Sequence, residues 1–125
     1  MITTEVFRTD GADGSGAEVK AFASVIGELI AIGVRMSAGT ATVTVKSKAG
    51  GLPEQTLFSA TGVGTTPTAR YPRVPVEAAD GTDYLISDGN ELVTRFAIVD
   101  PIEVTIASAS EDAVATVTMV YDKGK

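Results

Sequence analysis

Apolar and polar residues alternate in short runs along much of this chain. Residues 40–47 are the cleanest case: Ala41, Val43 and Val45 fall on one side, Thr42, Thr44 and Lys46 on the other. A period of two places the apolar set on a core face and the polar set in solvent, as a half-buried strand requires. Ser37-Ala38-Gly39 reads as a tight turn before it, and the sequence predicts a hairpin here. Ile102, Val104 and Ile106 form one face of a later strand, and Ala115, Val117, Met119 and Tyr121 form one face of the last. With Ser108–Asp112 as the turn between them, these two predict a closing hairpin.

Further strands are expected at 2–7, 55–60 and 92–99. Residues 18–36 admit two readings. Val19, Phe22, Ile26, Leu29 and Ile30 sit near helical spacing, and Ser15 with Glu18 has the form of a capping box. Gly27 and Gly33 oppose a helix by about 1 kcal/mol each, and Ile30, Ile32, Val34 and Met36 alternate. Two strands, at 19–23 and 28–36, are therefore expected, with a helix over the first part as the alternative. Asp10–Gly16 and Thr61–Thr68 read as loops, and Asp80–Asp83 and Ser87–Asn90 as turns. Arg70–Val76 is a short extended segment whose prolines, Pro72 and Pro75, suit a sheet edge.

About eight strands with turns every 8–12 residues predict an all-β fold: a single-domain β-sandwich over residues 1–125, jelly-roll-like, with short antiparallel strands. Residues 1–16 are expected as an extended arm followed by a Gly-rich loop. Strand spacing does not encode strand order, so an immunoglobulin-like sandwich stays open beside the jelly roll.

Composition narrows the function classes. The chain has 125 residues, 44% of them hydrophobic, which suits one domain with its own core. Ten Lys and Arg stand against 16 Asp and Glu, a net charge of -6. An acidic domain with no basic stripe repels a phosphate backbone, so no nucleic-acid partner is expected. Met1–Glu5 is polar and acidic, so no signal segment is expected. Leu29–Met36 is too short to span a bilayer, so no membrane partner is expected.

The chain contains no Cys and no His. Disulfides, the usual zinc sites, Cys nucleophiles and Ser-His triads are thereby excluded. Asp10, Asp13, Asp80, Asp83, Asp88, Asn90 and Glu91 are oxygen donors in turns, but they do not form a calcium loop with a distal Glu. Gly11–Gly16 and Gly62-Val63-Gly64 lack the Gly-Lys-Ser/Thr of a phosphate loop. No catalytic residue, metal site or cofactor is expected, and the chain is read as a non-enzyme. Arg70-Tyr71-Pro72-Arg73 is the densest cationic cluster, and Arg and Tyr are favoured interface anchors. Its guanidinium groups are suited to carboxylates of a partner or of another copy.

The runs Gly27–Ile32, Gly39–Val45, Arg70–Val74, Ile102–Ile106 and Ala115–Met119 together resemble the head decoration, or cement, proteins of tailed bacteriophages, small β-sandwich virion proteins. The resemblance implies a homotrimer that binds the major capsid protein on the capsid surface of the virion, after synthesis in the host cytoplasm. It also implies an extended terminal arm, for which Met1–Thr9 is the candidate. The partner-interface residues that follow are Arg70, Tyr71, Pro72 and Arg73 with Ile2, Val6 and Phe7. The alternatives are a neck, tail or fibre-associated β-domain, or a carbohydrate- or calcium-dependent binding module.

Overall fold

A computed structural model describes residues 1–12, 19–23, 26–47, 54–75, 93–95, 97–98 and 101–124, the side chains of 19–23 and of Pro75 excepted. Among the described residues every regular element is a strand: β1 (Ile2–Arg8), β2 (Val19–Ala23), β3 (Gly27–Met36), β4 (Ala41–Ser47), β5 (Gln55–Val63), β6 (Thr68–Arg70), β7 (Arg73–Pro75), β8 (Val93–Arg95), β9 (Ala97–Ile98), β10 (Ile102–Ala107) and β11 (Ala115–Asp122). The helical alternative for the first part of 18–36 is overturned for its described residues: Val19–Ala23 form a strand laddered to β10, and long-range pairing outweighs the local helical spacing. The turns expected at 80–83 and 87–90 lie outside the described residues.

Among the described residues all pairings are antiparallel. Sheet A runs β1-β11-β3-β6, with β9 also on β3; sheet B runs β2-β10-β4-β5; β7 and β8 form a separate ribbon. Strands adjacent in sequence hold the same rank in the two sheets: β1 with β2, β11 with β10, β3 with β4, β6 with β5. Both sheets bury their inner faces in one core, with Ile32, Val34, Val117 and Met119 from sheet A and Val43, Val45, Val104 and Ile106 from sheet B. This is a β-sandwich.

Two expected hairpins are corrected. β3 and β4 do not pair; residues 37–40 are a corner that carries the chain from sheet A to sheet B. β10 and β11 likewise occupy different sheets, joined through residues 108–114. Alternation demands only that one face of each strand be buried. Two strands facing each other across a core satisfy that demand as fully as two strands side by side. The corners are built for the crossing: Gly39 has φ 63, and Ser108 and Asp112 also take positive φ, at 58 and 63. The loop expected at 61–68 is partly strand, since β5 continues to Val63 and β6 begins at Thr68.

On β5, Leu57 and Phe58 are both buried although adjacent. The ladder pairs Val45 with Phe58 and Lys46 with Thr56, leaving Leu57 as the extra residue of a bulge. A bulge turns one residue out of phase and brings both side chains to the core.

Residues 2–8, expected within an arm, form a strand of the chain's own sheet, paired with β11 from Ile2↔Asp122 to Arg8↔Thr116. Phe7 packs against the core from this strand.

Candidate functional site

The outer face of sheet A follows from the phase of β11. Ala115, Val117, Met119 and Tyr121 are buried, so Thr116, Thr118, Val120 and Asp122 face outward. Cross-strand partners share a face. Thr116 therefore lies between Arg8 and Arg35, Thr118 between Val6 and Gly33, and Val120 between Thr4 and Ala31. Gly33 in turn meets Ala69 on β6. The centre of this surface is Gly, Ala, Thr and Val, and its relief is low. A shallow open depression of about 150 Å³ crosses it, lined by Gly33, Val34, Arg35, Pro67, Thr116 and Thr118.

The face is polar at both ends, with opposite sign. Arg8 and Arg35 flank Thr116 at one end, two strand spacings apart or about 10 Å. At the other end, Asp122 pairs with Glu28 across the ladder. The Met1 amine donates to the Asp122 carboxylate at 2.8 Å, and the Gly124 amide donates to the same oxygen at 2.9 Å. These bonds, with the positive charge of Arg95, hold the Asp122 carboxyl below its ordinary value.

The cluster 70–73 sits at the β6 edge. The Arg70 guanidinium lies over the Phe58 ring, 5.9 Å from its centroid, a cation–π geometry. Tyr71 is 68% exposed. The Arg73 guanidinium donates to the Ile30 carbonyl at 3.2 Å and to the Pro72 carbonyl at 2.8 Å. Ile30 is the extra residue of a second bulge: β11 pairs Val120 with Ala31 and Tyr121 with Leu29. Arg73 thus fastens the β7 ribbon to the bulge of β3. It also stands directly opposite Arg95. Like charges in that position are unfavourable, and these carbonyl acceptors offset the cost.

Ile2, Val6 and Phe7 lie at the other edge. Sheet A separates β1 from β6 by three strand spacings, or about 14 Å. The two groups of sequence-predicted interface residues therefore lie at opposite edges of sheet A but not on one face, since Arg70 shares the inward phase of Ile32. Ile2 and Val6 point outward, 66% and 49% exposed. Phe7, one residue out of phase, points to the core side. Sequence reasoning missed Arg8 and Arg35. They are far apart along the chain, and only the ladder through Thr116 joins them; the available signal was Arg35 on the outward phase of an apolar strand.

Of the acidic and amide turn residues considered for calcium, only Asp10 is described, and it is exposed. Among the described residues no three Asp or Glu are grouped to hold a metal ion.

No family model matches the chain, and no curated protein or solved structure matches it.

Proposed function

We propose that this chain is a structural protein of a bacteriophage particle, bound to the outside of the capsid, where it bridges neighbouring copies of the major capsid protein. The observation that carries the reading is the outer face of sheet A: low in relief, built from small side chains at its centre, and bearing Arg8 and Arg35 at one end. Such a face meets another folded surface closely, and its arginines supply charge-assisted bonds to carboxylates. The strand order agrees with it. Eight strands arranged β1-β11-β3-β6 and β2-β10-β4-β5 follow the order of a jelly roll, an architecture used by viral capsid domains. Many weak contacts of this kind, repeated by particle symmetry, accumulate through avidity and require no chemistry at the interface.

Quantitative mass spectrometry of purified particles of the encoding phage tests the reading. The expected result is the chain at hundreds of copies per head. Absence from the particle overturns it, and about a dozen copies would move the protein to the neck or tail, where a closed ring sets the number.

A further inference from the structure

The Thr9 amide donates to the Ala115 carbonyl and the Lys123 amide donates to the Met1 carbonyl, each at 3.0 Å. With the register Ile2↔Asp122 to Arg8↔Thr116, these bonds assign the odd residues of β1 to the ladder with β11. Ile2, Thr4, Val6 and Arg8 consequently turn their amides and carbonyls to the open side of the strand. Among the described residues nothing pairs with that side. The strand is seven residues long, carries no proline, and runs against β11 without a register shift. The other described edges of the two sheets are shorter or broken: β6 and β9 have three and two residues, β2 has five, and β5 is interrupted by two register shifts. A long, flat edge with exposed apolar side chains is a template for another strand.

We propose that the occupant is β1 of a second copy, paired antiparallel about a twofold axis through Thr4. The free groups all belong to even residues, so a usable register must set even residues opposite even residues. Centred on Thr4, the pairs are Ile2 with Val6, Thr4 with Thr4, and Val6 with Ile2, each exchanging two backbone bonds. The exposed Ile2 and Val6 of both copies then form one apolar cluster on the outer face, with the two threonines between them. Glu5 falls opposite Thr3. Centring on Glu5 instead would set two carboxylates face to face, and centring on Val6 would set Ile2 against Asp10; both lose the Ile2–Val6 match. The joined sheet runs unbroken from β6 of one copy to β6 of the other, an isologous interface that closes both edges at once. This inference does not rest on a virion role. It competes with the threefold association that the resemblance implies.

The test is the mass of the full chain in solution, by multi-angle light scattering over a concentration series, with cross-linking to fix the register. A doubled mass at high concentration is expected, with association strengthening as salt screens the repulsion between two chains of net charge -6. Thr4→Pro removes a donor only from the open side and should return the chain to a monomer with its fold retained. Val6→Lys provides the same loss without a backbone change, should Thr4→Pro fail to fold. Because the chain has no cysteine, Thr4→Cys should give a single disulfide-linked dimer under a mild oxidant, since paired residues there lie within disulfide reach. Glu5→Cys and Val6→Cys, centres of the rejected registers, should cross-link far more slowly. A monomer at all concentrations, a trimer, or a dimer indifferent to Val6→Lys overturns the proposal.

Discussion

Thr9 and Ala115 close the last rung between β1 and β11 by an unequal exchange: the Thr9 amide donates to the Ala115 carbonyl, while the Ala115 amide donates to Thr9 Oγ1 at 3.0 Å. Thr9 is buried, so the Ala115 amide has no water to fall back on. Thr9→Val keeps the shape and removes the acceptor. The expected loss is about 1–3 kcal/mol, read as a lowered denaturation midpoint, and Thr9→Ser should recover most of it. Deleting residues 1–9 removes this rung and Phe7 together. It should therefore destabilise the fold, whereas a dispensable arm would leave unfolding unchanged.

Gly27 begins β3 at φ 153, and a Cβ there would run into the Asp122 carbonyl and press on the Tyr121 ring at 3.1 Å. Backbone cannot move aside as a side-chain tip can. Gly27→Ala should cost about 1–3 kcal/mol through strain, measured by urea unfolding. Gly39→Ala at φ 63 meets only the Ser110 hydroxyl, which can rotate away, so its cost should come mainly from the left-handed backbone.

Asp122 makes the acid limb of stability specific. Its carboxyl is held low, chiefly by the bond from the Met1 amine and then by the Gly124 amide. A depressed carboxyl contributes stability that is present above its unfolded value of about 3.9. That contribution is lost as pH falls through the lower folded value. NMR titration should place Asp122 below the ordinary aspartate range. Asp122→Asn should flatten the fall of stability in that acid window and leave its slope near neutrality unchanged.

Tyr71 and Arg35 separate binding from folding, because both are exposed. Tyr71→Ala and Arg35→Glu should leave the thermal midpoint nearly unchanged and reduce co-sedimentation with capsids, by about 30-fold in affinity if either is an anchor worth ~2 kcal/mol. Arg73→Glu should do more. It also frees the Ile30 carbonyl at the β3 bulge, so a loss of about 1 kcal/mol of stability is expected beside any loss of binding.

Most strands were legible in the alternation of the chain. Val19–Ala23 has the expected bounds, and β4, β10 and β11 depart from theirs by a residue or so. The period of two also separated Ile2 and Val6 from Phe7. It left open which set faces the core, and the ladder with β11 decided that in favour of Phe7. Alternation records that a strand has one buried face; it carries no information about the neighbour that shares the sheet. Hence 37–40 and 108–114 looked like hairpin turns and are corners between sheets. Hence too Arg8 and Arg35, distant in sequence, became neighbours of one threonine. By itself the sequence determined the strands, through its local periodicity, and excluded Cys and His chemistry, through its composition. Long-range pairing, set by how two apolar faces close over a common core, decided the strand order, the composition of the outer face and which edge is left open among the described residues.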